Sequence, residues 1–490
     1  MADDPFKLSL VLPEILLLLG ICGLLLSEVG GSRRRLGSLF RAELVLALPL
    51  LALVAQSGSS TDTAFGGMVI IDSLSRFLKI CAVLVVGATI ALSSRYCDDR
   101  EVMRGEFHCL ALLSLLGQFV MISANNLLVV YLGLELMSLS LYALAALRRD
   151  SATSTEAAMK YFVLGALASG FLLYGMSMIY GGAGTLALDE IAMQFGGGEI
   201  DRWVCALGVV FIVAGLAFKF GAVPFHMWIP DVYQGTPTAM TLLIAGAPKL
   251  AAFAIAFRVL AEGMLAAWGD WQQMLLVLSV ASLIVGNVVA IAQDNLKRML
   301  AYSTIAQIGF VLLGMVAGVV DGDAAGTADA WGSSLFYIIT YVLTTVGTFG
   351  VVMMLSRAGF EAETLNDLKG LNQRSPWVAL VMLLLMFSLA GIPPLVGFYA
   401  KFVIIGSVVS AGLLWLAILA VMLSLVAAFY YLRIVKLMYF DDPVDSAALD
   451  AERPAKVVLA ANGLLVFALG LLPGPLLGLC LEAVRQALGS

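Results

Sequence analysis

Side chains that bind metals or carry electrons are scarce in this sequence. The 490 residues include only two histidines, His108 and His226, and six cysteines. No cysteine pair has the CxxC spacing typical of an iron–sulfur or zinc site, and two distant histidines do not suggest bis-histidine haem. We therefore expect no cofactor within this chain and no electron transfer through it. Its function is therefore expected to involve protons, ions or small solutes.

Charge is scarce as well. Charged residues make up 13% of the chain, against about 25% in a soluble domain, while 61% of residues are hydrophobic and the mean hydropathy is +0.98. The net charge of −6 gives no reason to expect a nucleic-acid partner. The composition indicates a membrane protein whose surface faces lipid.

Long apolar runs are abundant. Runs of about 17 to 25 residues recur from end to end, each long enough to cross a hydrocarbon core of roughly 30 Å. The ten-residue alternation of a membrane β-barrel is missing. We predict an all-α polytopic membrane protein of about 14 transmembrane helices, near residues 8–26, 39–57, 73–94, 105–123, 126–147, 157–180, 203–221, 239–260, 271–292, 299–319, 333–356, 377–409, 411–438 and 457–479.

Prolines end or interrupt three of these predicted helices. Pro224 follows helix seven, Pro248 lies within helix eight, and Pro393 and Pro394 lie within helix twelve. A proline usually kinks or breaks a helix, and broken backbone at membrane depth requires protein or a water-filled cavity around it. Breaks at matched places in two halves are typical of transport sites. For any one proline taken alone, an ordinary kink is the competing interpretation.

The breaks suggest an internal repeat. Helices 4–8 and 9–13 would form two five-helix units, and an odd number of helices requires the second unit to be inverted. The broken helices seven and twelve then occupy the fourth place in each unit. We expect a single membrane domain, 1–490, divided into an N-terminal three-helix segment (1–104), a first repeat (105–262), a second repeat (268–440) and a C-terminal loop with the last helix (441–490).

Loop charges predict an orientation, because Lys and Arg in short loops stay on the cytoplasmic side. The basic loops all follow odd-numbered helices; they include Arg148, Arg149, Lys297, Arg298, Lys369, Arg374, Arg453 and Lys456. Both termini are therefore predicted outside. The sequence shows no transit segment, which favours a bacterial inner (plasma) membrane. An organelle-encoded protein would also lack one, so the mitochondrial inner membrane is the alternative.

A few charges lie inside the apolar runs: Glu135, Lys219, Lys249, Lys401 and, nearer a segment end, Lys160. An ionisable group at membrane depth costs at least about 2.5 to 3.5 kcal/mol and is usually functional. We expect Glu135 and Lys219 to pair. At an effective dielectric of about 20, their attraction would be about 3.3 kcal/mol at 5 Å and about 1.7 kcal/mol at 10 Å. Small movements would thus load or unload a proton, unless the pair only locks two helices together.

The remaining candidates flank this pair. Lys249 and Lys401 would continue a proton path, each beside a helix break where water can enter; snorkelling is the alternative. His226 could relay a proton or simply pack. Glu156 and Lys160 have the favourable i,i+4 order of a helical ion pair, with a coupling or a structural role. A polar cluster at the outer end of helix three is interpreted as an anchor: Asp72, Arg76 and Lys79.

At these residues the chain resembles the N-type membrane subunits of respiratory NADH:quinone oxidoreductase, complex I, which are related to Mrp-class antiporter subunits. The resemblance covers about residues 70 to 440. It depends on four stretches: EAAMKYFVLGALASGF at 156–171, PFHMWIPDVYQGTPT at 224–238, NLKRMLAYSTIAQIG at 295–309 and AGIPP at 390–394. Gln307 is a departure, since many relatives carry His there. Gln can hydrogen-bond a water chain but does not titrate.

The resemblance implies a non-redox subunit of the NADH:ubiquinone reductase (H+-translocating) complex. Its proton path would use Glu135, Lys219, Lys249 and Lys401, driven by electron transfer elsewhere. FMN, iron–sulfur clusters and quinone are expected in other subunits, and adjacent M-type and small K-type subunits and lipid as partners. A stand-alone or Mrp-type cation/proton antiporter subunit is the alternative, although a lysine series repels cations. A structural spacer is a third reading, which neutral replacement of Lys219 would test.

Overall fold

The structure is a computed structural model that describes residues 6–29, 35–56, 60–100, 104–197, 200–320, 325–356, 360–444, 449 and 452–489. Helices dominate it. In the first half they are α1 Leu12–Val29, α2 Arg35–Ala55, α3 Ser73–Asp99, α4 Arg104–Ile122, α5 Leu127–Ala145, α6 Ala152–Ala183, α7 Leu188–Gly197, α8 Arg202–Phe220, α9 Trp228–Gly235, α10 Thr238–Ala245 and α11 Pro248–Ala256. A π-helical segment, Phe257–Gly263, continues α11, and a 3-10 turn, Leu265–Ala267, follows it.

The second half contains α12 Trp268–Ile291, α13 Leu296–Val316, α14 Thr327–Leu355, a 3-10 turn Leu365–Leu368, α15 Leu371–Arg374, α16 Pro376–Ala390, α17 Val396–Ser410, α18 Leu414–Phe440, α19 Arg453–Leu471 and α20 Gly474–Ala487. Each predicted apolar run coincides with one or more consecutive helices. Among the described residues, eleven helical stretches are long and apolar enough to cross a membrane, and α16 and α17 are shorter apolar helices. The polytopic all-α fold is confirmed.

Polar caps set where several helices begin. The Asp72 side chain accepts the Ser75 N–H, and the Ser75 hydroxyl receives the Asp72 N–H in return, which is a capping box at the start of α3. Asn126, Asp201 and Asn295 cap α5, α8 and α13 in the simpler way. These side chains satisfy the N–H groups that the first turn of a helix leaves unpaired.

Close helix packing depends on small residues. A Cβ at Gly117 would lie 2.4 Å from the Met137 nitrogen, and one at Gly133 would lie 2.7 Å from the Met121 nitrogen. Only glycine lets α4 and α5 approach this closely, as is common between membrane helices. The centre of the bundle is the helical run 238–263, which is buried apart from Glu262 near its end, together with α13, which is 94% buried. By contrast α18 and α19 are 33% and 28% buried and lie at the perimeter.

The two ends of the bundle differ in charge. At one end a hairpin pairs β1 Asp62–Ala64 with β2 Val69–Ile71 in antiparallel register. Its backbone binds the turn after α4, through the Ile70 N–H to Ser123 O at 2.8 Å. We call this the acidic end, for Asp62, Asp189, Glu190 and Glu262. The opposite, basic end contains Arg100, Lys297, Arg298 and Arg433.

Both ends of the described chain lie at the acidic end. Lys7 forms an ion pair with Asp62 at 2.6 Å, and Leu488 lines a cavity there together with Thr63. This placement agrees with termini on the same side. Which side of the membrane that is stays a prediction from the loop charges.

Candidate functional site

The first helix break begins where α8 ends at Phe220. Gly221 adopts a left-handed φ of 79°, and the N–H groups of Gly221 and Ala222 both donate to Ala217 O at 2.8 Å. The peptide bond before Pro224 is cis, and α9 starts at Trp228. This glycine closure leaves the last carbonyls of α8 without partners inside the helix.

Lys249 binds those free carbonyls. Its Nζ donates to Lys219 O at 3.1 Å and to Phe220 O at 2.8 Å, and it lies 5.3 Å from the centre of the Trp228 ring. Pro248 is in the first turn of α11, directly before this lysine. Lys249 is 1% exposed. The negative end of the α8 dipole therefore faces its ammonium group inside the bundle.

The second break repeats this arrangement. After α16 ends, Gly391 has a φ of 84°, and the N–H groups of Gly391 and Ile392 donate to Phe387 O at 3.0 and 2.9 Å. The peptide bond between Pro393 and Pro394 is cis. Beyond the break, α17 carries the second buried lysine of this kind.

Lys401 closes the end of α16. Its Nζ donates to Leu389 O and Ala390 O, both at 3.0 Å, and to Ser424 Oγ at 2.8 Å. The nitrogen lies 5.3 Å from the ring centre of Phe310. A buried lysine thus binds the main-chain carbonyls of the broken helix in both halves.

The contacts of Glu135 and Lys219 differ from the pairing that the sequence predicts. In the part of the chain that the structure describes, no ion pair joins the two; Lys219 Nζ instead donates to Ser138 Oγ at 2.7 Å. Both charged residues are half-buried. Glu135 Oε1 is buried and has no hydrogen-bond partner within the described residues, which is uncommon for a buried polar atom. Since Ser138 lies one turn beyond Glu135 on α5, the lysine can exchange one acceptor for the other with a small movement.

The sequence-predicted pair Glu156 and Lys160 is formed, and it belongs to a larger cluster. Lys160 Nζ lies 2.8 Å from Glu156 Oε1 and 2.7 Å from Asp231 Oδ2. Asp231 also binds Arg298 Nη1 at 2.7 Å. Asp231, on α9, therefore connects α6 to α13 across the two halves. His226, half-buried before α9, accepts the Ile229 N–H on its carbonyl at 2.9 Å.

Comparisons with known proteins show the family of this chain. A family model described as NADH:quinone oxidoreductase/Mrp antiporter, TM matches residues 124–427, which include both breaks and the four charged candidates Glu135, Lys219, Lys249 and Lys401. The chain belongs to this family.

Two relatives in this antiporter family match over nearly their whole length. Both are called NADH-quinone oxidoreductase subunit N: one from Herminiimonas arsenicoxydans, 54% identical over 98% of each chain, and one from Cupriavidus taiwanensis, 53% identical over 99% of each chain. In a structure of respiratory complex I from Thermus thermophilus with bound Aureothin, one chain is 34% identical with a TM-score of 0.80, covering 95% of this chain and 98% of that one. A chain of the Mrp complex from Dietzia sp., 23% identical with a TM-score of 0.83 over 99% and 98% of the two chains, shares the fold.

In this family member, sequence reasoning missed Lys297. It is 2% exposed, and its Nζ donates to Thr236 O at 3.0 Å and lies 3.6 Å from Glu363 Oε1. Thr236 caps the end of α9, so Lys297 is a third buried lysine on the carbonyl end of a helix. In the sequence it stands out only as a basic loop residue, although it lies within the stretch 295–309.

Gln307 joins Lys401 to a set of hydroxyl groups. Its Nε2 donates to Leu389 O at 3.2 Å and to the Tyr431 hydroxyl at 3.0 Å, and its Oε1 accepts from the Tyr337 hydroxyl. Lys401 and Gln307 therefore share one carbonyl. The described residues contain no group of three or more His, Cys, Asp or Glu that could hold a metal ion.

Proposed function

We propose that this chain is a proton-translocating, non-redox membrane subunit of NADH:quinone oxidoreductase. One observation carries the proposal: in both halves a buried lysine, Lys249 or Lys401, binds the carbonyls of a broken helix. Broken helices in proton and ion carriers place charged sites at membrane depth. The names of the full-length relatives identify the complex.

In this proposal, Glu135 and Lys219 form the switchable site. The lysine is bound to Ser138, and the unpartnered carboxylate oxygen of Glu135 offers it a second acceptor. Lys249 lies next in line because it donates to the main-chain carbonyl of Lys219 itself. A proton on one of these two lysines disfavours a proton on the other through charge repulsion, so their occupancies are coupled.

The second half continues through Lys401. The carbonyl that it shares with Gln307 leads to the Tyr431 hydroxyl, which is hydrogen-bonded to Ser303. A hydroxyl group both donates and accepts hydrogen bonds, so it can pass a proton along a chain and is neutral before and after the transfer. Gln307 orients this set and Lys401 holds the proton.

The driving energy would come from NADH-to-quinone electron transfer in other subunits, which hold FMN, the iron–sulfur clusters and quinone. Moving one proton against 100 mV costs about 2.3 kcal/mol. M-type and K-type membrane subunits are the proposed neighbours, and a bacterial inner membrane with both termini outside is the proposed location. A sodium carrier binds its cation with clustered carboxylates. Here the carbonyls at the helix breaks are bound by lysines, which disfavours an Mrp-type antiporter function.

The test is Lys219→Ala in membranes that contain the complex. Quinone-dependent NADH oxidation and proton pumping are measured together, and assembly is checked by native gel. We expect both activities to be lost in an assembled complex. Lys436→Ala is the matched control, since Lys436 is 63% exposed in an ion pair with Asp441. Normal pumping by the Lys219 variant would contradict the proposal and leave the buried charges as structural.

A further inference from the structure

A buried ionic cluster lies where the Lys249 helix approaches the acidic end. The π-helical segment 257–263 directly continues α11. Within it, Arg258 is 0% exposed, and its Nη2 donates to both carboxylate oxygens of Asp72 at 2.8 Å. Its Nη1 donates to Glu262 Oε1 at 2.6 Å. Such π-helical turns are rare and are frequently found at functional sites.

Glu262 borders a cavity that the rest of the cluster does not line. An open cavity of about 780 Å³ lies at the acidic end, lined by Glu262 together with Thr63, Asn125, Asp189, Trp268 and Val319. The Glu262 side chain is 17% exposed, whereas that of Asp72 is 1% exposed. One carboxylate of the cluster is therefore in contact with water and the other is not.

The two carboxylates, Asp72 and Glu262, also differ in how many hydrogen bonds hold them. Asp72 uses both oxygens for Arg258, and its Oδ1 additionally accepts the Ser75 N–H at 2.8 Å. Glu262 meets Arg258 through Oε1. Since Asp72 already neutralises the guanidinium, Glu262 can gain or lose a proton without leaving Arg258 unpaired.

The helix itself connects this cluster with the buried lysine. Lys249 and Glu262 are 13 residues apart in one helical run, which corresponds to about 20 Å at 1.5 Å per residue. Beside the run lie Gln118 on α4 and Ser123 in the turn after it, both 1% exposed. Each has an oxygen without a hydrogen-bond partner among the described residues. Buried polar atoms of this kind are usually satisfied by ordered water.

We infer that Glu262 is the proton-release group of the first half, with Arg258 as its positioning residue. The inference rests on the proposed function. A hydrated proton arriving from the Lys249 side protonates the Glu262 carboxylate and leaves neutral water behind. The carboxyl group then gives that proton to water in the cavity. Only O–H bonds form and break, so no other reactant is needed.

The charged groups around Glu262 define how its protonation responds to pH. Arg258 lies on the same segment, and Asp72 and Arg76 belong to the start of α3. Asp189 and Glu190 are in the first turn of α7, and Lys249 is on α11. The following 3-10 turn has no charged residue. Asp189 is the other carboxylate at the cavity, so its contribution must be separated by a variant of its own.

The experiment uses the whole complex in liposomes, with the pH varied on each side in turn. Glu262→Gln should slow coupled NADH oxidation about 10-fold or more, since a lost proton-transfer group typically costs at least that much. It should also abolish the response of the rate to pH on the acidic-end side. Glu482→Gln, which changes an exposed carboxylate on α20 that does not line the cavity, is the matched control and should behave as the native complex. Asp189→Asn should retain the pH response.

The outcomes separate this inference from the proposed function. An unchanged rate and pH response in Glu262→Gln, with Lys219→Ala inactive, would overturn the release group and leave the function standing. Activity in both variants would overturn the function as well. If Glu262→Gln does not assemble, Glu262→Asp decides: retained turnover with a displaced pH midpoint supports the assignment, and an unaltered midpoint overturns it.

Discussion

The two helix breaks have the same backbone and different side chains. In each, a left-handed glycine ends the helix and two successive N–H groups donate to one carbonyl, Ala217 O or Phe387 O. In each, a lysine then binds the last two carbonyls. Yet Lys249 comes from α11, two helices beyond its break, whereas Lys401 comes from α17, directly after its break.

This difference shows which requirement the fold imposes. The lysine belongs to a differently placed helix in each half. The carbonyl end of the broken helix therefore requires a positive charge nearby, but not a lysine at one fixed position in the sequence. The halves differ again two residues before the glycine, where the first has Lys219 and the second has Leu389. The first half thus has two lysines at its break and the second half has one.

The largest effect should come from Lys249→Arg and Lys401→Arg. Arginine can still bind two carbonyls but stays protonated. We expect assembled complexes whose proton pumping falls about 100-fold, because a proton-transfer group is lost. Pumping is measured in inverted membranes, with Lys436→Arg as the control. If either arginine variant pumps normally, that lysine only closes its helix and the comparison between halves loses its functional meaning.

Replacing the glycine at either helix break by alanine should have an intermediate effect. Alanine at Gly221 or Gly391 must adopt positive φ, which costs about 1 to 2 kcal/mol, a factor of roughly 5 to 30. The new Cβ would lie 2.9 Å from Lys401 Cδ at Gly391, but 1.8 Å from Ile229 Cδ1 at Gly221. Turnover per assembled complex should therefore fall more in Gly391→Ala, and the amount assembled should fall more in Gly221→Ala.

Gly406→Ala is the control for that pair, because it lies on α17 and its Cβ would have no atom within 4 Å. Equal losses of turnover in the two break variants would show that displacement of Lys401 is not what matters.

The serine partners should show a smaller effect. Among hydrogen bonds of the described residues, Lys219 Nζ has Ser138 alone, whereas Lys401 retains two carbonyls if Ser424 is lost. A typical hydrogen bond contributes about 1 kcal/mol net. We expect Ser138→Ala to reduce coupled turnover several-fold and Ser424→Ala to change it less. The reverse order, measured in the same membranes, would mean that carbonyl contacts do not hold Lys401.

The smallest effect concerns a contact between the halves at the basic end. The loop after α14 brings Glu361 to Arg100 Nε and to the Tyr96 hydroxyl, both at 2.6 Å. Burial acts to raise the pKa of Glu361, but these two hydrogen bonds hold it below its usual range.

A lowered carboxylate pKa stabilises the folded state above the unfolded value of about 4.3 and is lost as pH falls through the folded value. The loss of thermal stability of the complex between pH 5 and pH 3 should therefore be less steep in Glu361→Gln, by at most about 1 kcal/mol. An identical slope in native and variant complexes would remove Glu361 as a link between halves.

Much of this arrangement could be predicted from the sequence. Apolar run length predicted the spanning helices, prolines 224, 248, 393 and 394 fall where helical segments end or begin, and the cost of burying charge singled out Lys249 and Lys401. The partners of these lysines could not be predicted, because main-chain carbonyls leave no residue pattern.

Side-chain direction was the other missing information. The sequence places Glu135 and Lys219 on neighbouring helices, but the lysine binds Ser138. Asp72 was interpreted as a local anchor of helix three, and it does cap that helix; its ion pair with Arg258 joins residues 186 positions apart. Contacts across such distances depend on packing that no local spacing encodes.

Because Lys249 and Lys401 are bound by carbonyl ends of helices, neither their protonated nor their neutral state is strongly favoured by charge. A carboxylate partner would favour the protonated state. A helix end carries about half a negative elementary charge. With the lysine protonated, each site has a residual charge of about +0.5, and with it neutral about −0.5. The two protonation states are thus offset from neutrality by similar amounts in opposite directions. Arg258 faces the full charge of Asp72 instead, which favours one state only and suits a fixed support.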